Sequence, residues 1–398
     1  MPRLSSRISI LHIVYSHFPA DSRVRRETTA LGVLGRRIAV IALRGPGERR
    51  IERFRETVVI RLDGSKKRGG ILRYILEYSV FTFRCRLVVS RARALAKVDV
   101  VHVHTLPDFL VLAGLPAKRR GARLVFDMHE IFPEFSRSKF GGIFGRALAT
   151  LTARIERWAR ARADLTIVVN RPIEALLQAR CLARPETRLV LHNTADPTDF
   201  GPAGQPRATL STPLNLIYHG TFTRLYGLDI AIRGVARARQ RGIDASLTLL
   251  GSGPDEAHLS ALGAQLMSGH FEIVPPISQE KLPAVLSRYD AGLVPTRCDE
   301  MTRYSLSAKL LEYAHLAIPV LAADLPSYRT YFPAPTLWYW KAGDAESLAN
   351  VIAEFAQSAG AERQNRARAA QHAIKQFDWR MESENLRSAY TDLLSVTR

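Results

Sequence analysis

The chain has 398 residues, of which 46% are hydrophobic and 24% are charged, a composition typical of a globular protein with two or three domains. No uncharged apolar run approaches the roughly 18 residues of a membrane-spanning helix, and the first residues lack a long apolar signal core, so a cytoplasmic protein is expected. Three widely spaced cysteines, Cys85, Cys181 and Cys298, form neither a disulfide framework nor a metal-binding pattern.

The net charge of +20 suits nucleic acid, an anionic membrane face or phosphorylated substrates as a partner. Only nine of the 57 basic residues are lysines, and the charge is spread along the chain instead of forming one tail. The sequence contains no zinc-finger, helix-turn-helix or aromatic RNA-binding pattern. The charge by itself therefore does not indicate a nucleic-acid-binding protein.

The first half of the sequence alternates short β-rich runs with helical stretches. The predicted strands are rich in Val, Ile and Leu and nearly continuous in apolar residues, as in parallel sheets that are covered on both faces. They span residues 8–14, 37–43, 98–104, 124–127, 165–169 and 189–192. Helices are predicted at 23–35 and 143–163, where apolar residues recur at helical spacing. This alternation predicts a doubly wound α/β sheet.

The segment 196–206 contains three prolines and two glycines and is predicted to be a linker. After it the alternation restarts, with strands predicted at 214–219, 246–250, 271–274, 292–295 and 318–322. The sequence therefore predicts two doubly wound α/β domains, 1–195 and 207–376, followed by a closing helical segment, 377–398. Because ligands of such sheets bind at the carboxyl ends of the strands, we expect the reaction to take place in a cleft between the two domains.

Polar side chains follow several predicted strands of the first half. Asp127, His129 and Glu130 end one strand, and histidine suits a proton-transfer role or a hydrogen bond to a sugar hydroxyl near neutral pH. A histidine in such a position is also often structural. On another strand, His102 and His104 stand two residues apart and share a face. A metal site is conceivable there, but no third ligand is apparent at a useful spacing.

A charged segment follows the first predicted strand and contains Asp21, Arg23, Arg26 and Glu27. This pattern is compatible with an acceptor and phosphate loop, or simply with the charged first turn of a helix.

Glycines mark two strand ends in the second half. Gly220 permits close approach of a ligand to the backbone, and Thr221 and Arg224 follow it; Arg224 is suited to pair with phosphate oxygens. A plain turn between a strand and a helix is the alternative. Gly251 and Gly253 form a second turn of this kind at the end of the next predicted strand.

The most informative segment runs from Ser305 to Tyr313 and is predicted to be a loop that opens a helix. Backbone N–H groups at a helix start favour an anion, and Lys309 adds positive charge beside them. Glu312 lies on the same helix face, where its carboxylate can accept from two neighbouring hydroxyls. The pattern fits the pyrophosphate and ribose of a nucleotide sugar. An ordinary amphipathic helix with an exposed Lys–Glu pair is the alternative.

These segments, in this order, resemble those of the retaining glycosyltransferases of family 4, which have the GT-B architecture. The family's Ser-x-Pro-x-Lys-x-x-Glu-Tyr pattern is matched at Ser305, Lys309, Glu312 and Tyr313, with Ser307 in place of the proline. The family's Glu-x7-Glu form would place its first acid at Tyr304. The Asp-x-Arg-x-x-Arg-Glu pattern is matched at 21–27, and the Asp-x-His-Glu-x-x-Pro-Glu run at 127–134. In the family's donor loop, Gly-Arg-Leu-x-x-x-Lys-Gly, this chain has Thr221 and Tyr226 in place of the two cations.

The resemblance implies a role for each matched residue. Those at the transferred sugar would be His129, Glu130 and Asp127. Those at the donor would be Gly220, Thr221, Arg224, Gly251, Gly253, Ser305, Lys309 and Glu312, with Arg224 and Lys309 replacing the missing cations. Those on the acceptor side would be Asp21, Arg23, Arg26 and His104. The resemblance implies no metal and no cofactor beyond the nucleotide sugar as substrate, and a final helix that crosses back to the first domain.

The implied activity is transfer of a sugar, of the hexosyl type, from a nucleotide diphosphate sugar to a hydroxyl of a glycan or lipid-linked acceptor, with retention of configuration. Such transfer serves the assembly of surface glycans and polysaccharides, and no nucleic-acid partner is expected. Two alternatives stay open from the sequence: a GT-B sugar-nucleotide epimerase, and a basic nucleic-acid-binding protein.

A basic and apolar segment of the first domain predicts peripheral binding to an anionic membrane, at its inner face. Leu72, Ile75, Leu76, Val80, Phe83 and Leu87 share one helical face, and the flanking basic residues are Lys66, Lys67, Arg68, Arg73, Arg84, Arg86, Arg91, Arg93 and Lys97. Basic residues near an anionic surface contribute about 1 kcal/mol each. Burial of this face against the first sheet is the alternative.

Overall fold

The computed structural model describes residues 9–64, 71–140, 142–180, 182 and 186–395. The chain divides into two compact units, one formed by Met1–Asn193 with Glu382–Arg398 and the other by Thr194–Met381. Along the chain, these divisions lie beside the predicted boundaries at 195 and 377. Cys181 and the basic residues Lys66, Lys67 and Arg68 lie outside the described residues.

The first unit contains an eight-stranded sheet. Its strands are β1 (Ile10–His17), β2 (Ile38–Leu43), β3 (Ile51–Phe54), β4 (Thr57–Leu62), β5 (Val100–His104), β6 (Arg123–Met128), β7 (Leu165–Val168) and β8 (Arg188–Val190). Their order in the sheet is β3-β4-β2-β1-β5-β6-β7-β8, and all neighbours are parallel except β3 and β4. The central strands β1, β2 and β5 are buried along almost their whole length, as expected of apolar strands covered on both faces.

Helices connect the parallel strands of this sheet. They are α1 (Ser22–Gly32), α2 (Ile71–Arg91), α3 (Val111–Arg119), α4 (Phe132–Phe140), α5 (Gly142–Arg160) and α6 (Arg171–Ala179). Two of them begin at a side-chain cap: Asp21 accepts from the Val24 amide before α1, and Asn170 accepts from the Ile173 amide before α6. The cap at Asp21 fixes where the charged segment after β1 becomes helical.

The second unit contains a six-stranded parallel sheet, in the order β11-β10-β9-β12-β13-β14. Its strands are β9 (Leu214–Thr221), β10 (Ala245–Ser252), β11 (Phe271–Val274), β12 (Ala291–Val294), β13 (Val320–Ala323) and β14 (Trp338–Trp340). Its helices are α7 (Pro197–Phe200), α8 (Leu228–Gln240), α9 (Glu256–Leu266), α10 (Leu282–Leu286), α11 (Ala308–His315), α12 (Pro326–Tyr331), α13 (Ala345–Gln357) and α14 (Gly360–Ile374). One large apolar core packs both faces of this sheet.

The last helix, α15 (Trp379–Ser395), returns to the first unit along the chain. Within that unit, Tyr390 Oη lies 2.6 Å from Nδ1 of His102, and Glu382 Oε1 lies 2.6 Å from Nδ1 of His192. Both contacts are buried, and they fix this helix to strand β5 and to the segment after β8. Short 3₁₀ turns complete the secondary structure, at Arg93–Leu95, Asp108–Leu110, Arg224–Tyr226, Gln279–Lys281, Thr302–Tyr304 and Lys375–Phe377.

The two parallel α/β sheets confirm the fold class predicted from the sequence, with local differences. The hairpin of β3 and β4 was not predicted, because β3 is an edge strand whose residues are all exposed or half-exposed and carry no apolar run. The predicted linker 196–206 begins with the short helix α7, which Asp196 caps by accepting from the Thr198 amide at 2.9 Å. Of the described cysteines, Cys85 is buried and Cys298 is exposed. Among the described residues, no helix is long and apolar enough to cross a membrane.

Candidate active site

Sheet register brings the histidines of the first unit together. His12 of β1 is paired with His102 of β5, and His104 of β5 is paired with Asp127 of β6. Because alternate residues of a strand point to the same face, His102 and His104 both reach the neighbourhood of His12. The rings of His102 and His104 are stacked with centroids 4.3 Å apart. A polar cluster therefore lies within a sheet that is otherwise apolar.

Asp127 lies at the centre of this cluster. Its Oδ2 accepts from Arg23 Nε at 3.0 Å and lies 3.1 Å from His104 Nδ1 and 3.0 Å from His129 Nε2, while its Oδ1 accepts from Arg23 Nη2 at 2.9 Å. Burial alone would raise the pKa of Asp127, but Arg23 and then His129 hold that pKa well below its usual range. The carboxylate is therefore ionised and can fix the orientation of the His129 ring.

His129 opens onto a pocket of about 430 Å³. The residues lining it include Asp21, Glu130, Tyr15, Tyr74, Tyr78 and Glu77. The His129 amide donates to Thr105 Oγ1 at 3.1 Å, which holds the backbone at the end of β6. The structure thus places three predicted site residues, His129, Glu130 and Asp21, around one cavity, with Asp127 buried behind His129.

The other residues predicted for the acceptor side lie behind this pocket. Arg23 is almost completely buried between Asp127 and the carbonyl of Leu191, to which its Nη1 donates at 3.0 Å. Arg26 is also buried and donates through Nη2 to Asn193 Oδ1. His104 has no exposed surface. None of these three side chains lines the pocket, and of the three Arg23 and His104 contact Asp127, which lies behind His129.

The sequence analysis did not single out His12 or Tyr390. It treated Glu27 only as part of a matched charged pattern and His102 only as a conceivable metal ligand. Burial holds the pKa of His12 and His102 below the usual range of histidine and lowers that of His104 to about 3, so these imidazoles are neutral at pH 7. Burial, together with Asp127, raises the pKa of Glu27 well above its usual range. His12 could have been recognised from the sequence, because a polar residue inside an otherwise apolar strand is unusual and indicates a specific role.

In the second unit, glycines allow the ends of β9 and β10 to lie side by side. Gly220 has φ +121°, and a Cβ there would lie 2.6 Å from Cε of Lys309. Gly251 is paired with Gly220, and a Cβ on it would lie 1.9 Å from the Gly220 carbonyl oxygen. A Cβ on Gly253 would lie 2.2 Å from the carbonyl oxygen of Phe222. Only glycine fits at these three positions, which were all predicted donor residues.

Lys309 and Glu312 belong to α11, which begins at Ala308 within the segment predicted to open a helix, and both side chains lie beside the end of β9. The Lys309 ammonium lies 4.2 Å from the centroid of the Tyr226 ring and 5.2 Å from that of Tyr218. Burial lowers the pKa of Lys309 to about 8, and Glu312 opposes this shift only in part. Glu312 Oε2 lies 3.1 Å from Nε2 of His219, a residue of β9 that the sequence analysis did not single out.

The remaining predicted donor residues have simpler environments. Thr221 and Arg224 are exposed. Ser305 lies before α11, where its hydroxyl donates to the Met301 carbonyl at 3.2 Å and its own carbonyl accepts from Ser327 Oγ at 2.6 Å. Near Arg224, Nη2 of Arg297 donates to both carboxylate oxygens of Asp229, at 2.8 and 2.6 Å. Because Arg297 is paired with Asp229, it is not counted as a candidate for binding phosphate. The candidates are the two cations predicted from the sequence, Lys309 and Arg224.

Comparisons with known proteins agree with this architecture. The model of the Glycosyltransferase Family 4 domain matches residues 21–199, and that of the Glycosyl transferases group 1 domain matches residues 213–358. A 2-deoxystreptamine glucosyltransferase from Streptomyces kanamyceticus is 23% identical over 303 residues, which cover 72% of this chain and 78% of that protein.

Solved structures show the same fold at low sequence identity. Sucrose-phosphate synthase from Thermosynechococcus elongatus superposes with a TM-score of 0.79 at 16% identity and covers 98% of this chain and 100% of its own. HepE from Anabaena, solved in complex with UDP-glucose, superposes with a TM-score of 0.70 at 14% identity over 97% of this chain and 100% of its own. The two matched domains follow each other in the two α/β units described above. The chain is therefore a glycosyltransferase of the GT-B type, with a family 4 domain followed by a group 1 domain.

Proposed function

We propose that this glycosyltransferase moves a sugar from a nucleotide diphosphate sugar to a hydroxyl acceptor with retention of configuration, in the assembly of a surface glycan or polysaccharide. The proposal that a nucleotide diphosphate sugar is the donor rests on the arrangement of Gly220, Lys309 and Glu312. Two relatives support a glucosyl donor as the first to test: the 2-deoxystreptamine glucosyltransferase by its activity, and HepE by its complex with UDP-glucose. Neither the epimerase nor the nucleic-acid-binding alternative is favoured by the matched family domains.

The donor would lie across the ends of β9 and β10. Glycine at 220 and 251 lets Lys309 and the ends of the two strands pack closely together. This packing places the Lys309 ammonium next to Gly220, where it would meet the charge of a diphosphate. Glu312, whose carboxylate lies beside the end of β9, would accept from the ribose hydroxyls. Arg224, which is exposed in the same loop, supplies a second cation. Stabilisation of the leaving diphosphate is the main demand of such a transfer.

The first unit would hold the acceptor and the transferred sugar. His129 borders the pocket with Glu130 and Asp21, and the ionised Asp127 fixes its ring. An imidazole whose orientation is fixed in this way is suited to bind a sugar hydroxyl as positive charge develops on the anomeric carbon. We propose that the acceptor hydroxyl attacks on the face from which the diphosphate leaves, which preserves the anomeric configuration without a covalent carboxylate intermediate. We further propose that this step uses no metal cofactor, since Lys309 and Arg224 meet the diphosphate charge.

A binding screen followed by product analysis tests the proposal. Thermal unfolding would be recorded with UDP-, GDP- and ADP-sugars, and a donor present at a hundredfold excess over its dissociation constant stabilises the protein by about 2.7 kcal/mol. Proton NMR of the early product with that donor would show the configuration at the anomeric carbon. Absence of any shift with all donors contradicts the donor assignment, and an inverted linkage contradicts retention.

We also propose that the first unit docks on an anionic membrane, where a lipid-linked acceptor would be found. The predicted apolar face of α2 is exposed in part: Leu76 is 63% and Phe83 61% exposed. Ile143 and Phe144, at the start of α5, are 82% and 58% exposed. Lys139 of α4 lies 4.1 Å above the Tyr74 ring of α2, and Phe140 of α4 packs edge-on against Phe144 of α5 with centroids 6.4 Å apart, so α4 contacts both helices that carry these apolar residues. Exposed apolar residues flanked by arginines suit a membrane interface.

Co-sedimentation with liposomes tests this docking. The protein should bind vesicles that contain anionic lipid at low salt and bind neutral vesicles much less. Phe83→Ser and Phe144→Ser should each weaken binding, whereas Val33→Ser, which changes an exposed apolar residue after α1, should not. Equal binding to neutral and anionic vesicles, or equal loss in all three variants, contradicts the proposal.

A further inference from the structure

We propose that His12, Glu27, His102 and His104 bind a divalent transition-metal ion, zinc in the first instance, inside the first unit. Each side chain offers one ligand atom, and these four atoms lie within 4.8 Å of one another. All four residues have no exposed surface. Imidazole and carboxylate are ligand types that zinc accepts in four-coordinate sites.

Within the described residues, three of the four side chains have polar atoms without a hydrogen-bond partner, whereas His104 Nε2 lies 2.9 Å from His12 Nδ1. His12 Nε2, His102 Nε2 and Glu27 Oε2 are buried and form no hydrogen bond with any residue in the described ranges of the chain. Buried polar atoms normally have a partner, because leaving one unpaired away from water is costly. Several such atoms in one small space indicate a shared ligand, and a cation satisfies nitrogen lone pairs and carboxylate oxygens together.

The second ring nitrogen of both histidines of β5 is held by a neighbour. His102 Nδ1 lies 2.6 Å from Tyr390 Oη, and His104 Nδ1 lies 3.1 Å from Asp127 Oδ2. Glu27 Oε1 forms an ion pair with Arg23 Nε at 3.0 Å, although this Nε donates its hydrogen to Asp127. Metal-binding histidines usually donate their other ring N–H to an oxygen in this way, which turns Nε2 toward the ion, and metal-binding carboxylates are held similarly. The surroundings of the cluster are thus those of a metal site.

The distances between the ligand atoms suit a metal with small adjustments. His104 Nε2 lies 4.0 Å from Glu27 Oε2, which in turn lies 3.7 Å from His102 Nε2, and the ligand atoms of all four residues lie within 4.8 Å of one another. Zinc bonds of 2.0–2.1 Å in a tetrahedron place ligand atoms about 3.4 Å apart, so these atoms must move slightly closer together on binding. The three rings are nearly parallel, at 13–30° to one another. Because a metal lies in the plane of each ring that binds it, the rings must tilt toward the ion on binding.

The ion would link β1, α1 and β5 and so stabilise the first unit. It would not act in sugar transfer, because the four ligands are buried, and the inference does not depend on the proposed donor or acceptor.

Metal analysis of the whole protein tests the site directly. The chain, without a histidine tag, is purified from medium supplemented with zinc, dialysed and analysed by atomic emission; we expect one zinc per chain. Cobalt added to chelator-treated protein should give the visible absorption bands of a four-coordinate site. Zinc at a hundredfold excess over its dissociation constant should raise the thermal midpoint of that protein by about 5–10 °C. Wild-type protein that binds neither ion overturns the proposal, whatever happens to the variants.

Variants identify the ligands. His12→Gln should lose the zinc, and Glu27→Gln should weaken zinc binding, with folding checked by circular dichroism. His192→Gln is the matched control, because His192 is also buried in the first unit but has its own partner, Glu382, at 2.6 Å. This control should lower stability and leave the zinc content unchanged. Retention of zinc in a folded His12→Gln variant, or equal loss in His192→Gln, assigns the metal to another place and overturns the proposal.

Discussion

Nε2 of His219 lies 3.1 Å from Oε2 of Glu312, so the end of strand β9 and helix α11 meet at the residue proposed to bind the ribose. The ring of Tyr313 packs edge-on against that of His219, with centroids 5.1 Å apart, and fixes it from the other side. His219 therefore lies against the carboxylate of Glu312 on the side of Oε2. Glu312 is a binding residue in this arrangement, and His219 is a positioning residue.

Replacement of Glu312 tests this assignment. Glu312→Ala should weaken nucleotide binding by about 1.5–3 kcal/mol, because it removes a charged hydrogen-bond acceptor. His219→Asn should have a smaller effect in the same direction. Isothermal titration calorimetry measures both, with Glu346→Ala, an exposed acid of α13, as the control. An unchanged nucleotide affinity in a folded Glu312→Ala variant would exclude Glu312 as the ribose ligand.

Replacement of His129 should separate catalysis from donor binding. Because His129 belongs to the first unit and the proposed donor residues to the second, His129→Ala should lower turnover by about 10²–10⁴-fold while nucleotide affinity stays near that of the wild type. Initial rates and calorimetry give the two values, and His258→Ala, on the exposed side of α9, is the control. If turnover and nucleotide affinity fall together with loss of the fold, the role of His129 is structural.

Donor affinity should depend on pH through Lys309. Burial lowers the pKa of Lys309 to about 8. The side chain is therefore positively charged below pH 8 and loses this charge as the pH rises through that value. Affinity for the diphosphate should therefore be greatest below pH 8 and fall above it. In Lys309→Gln, affinity should be low throughout and no longer change between pH 7 and pH 9. A wild-type affinity that rises over this interval would be opposite in sign to the prediction.

Substitution of Gly220 should disturb Lys309 specifically. In Gly220→Ala the new Cβ would lie 2.6 Å from Lys309 Cε and displace the lysine, so donor affinity should fall by about tenfold or more. Gly242→Ala is the matched control, because Gly242 also has a positive φ, +88°, but no atom within 4 Å of the new Cβ. Both variants should lose stability from backbone strain, of order 1–3 kcal/mol, and only the first should lose donor affinity. Equal affinities in the two variants would contradict the close contact.

Local sequence patterns predicted most of the parallel strands, because most of them are short apolar runs, and those at the centre of each sheet are buried on both faces. They also predicted the donor helix start, since Lys309 and Glu312 are three residues apart on α11 and need only helical periodicity to share a face. The hairpin of β3 and β4 could not be predicted in this way. Its edge strand, Ile51–Phe54, is formed by backbone pairing with β4, and its side chains alternate between exposed and half-exposed positions.

The sequence by itself determined the α/β class, the glycine turns and the helical placement of Lys309 and Glu312, because neighbours along the chain decide each of these. It also placed His102 and His104 on one face of a strand, but it indicated no further residues that could bind a metal with them. Only the tertiary structure brought His12 and Glu27 to them, from 90 and 75 residues away along the chain, because β1 and β5 are neighbours in the sheet and α1 covers them. Strand order is set by how the helices pack on the sheet, and no local pattern in the sequence records it.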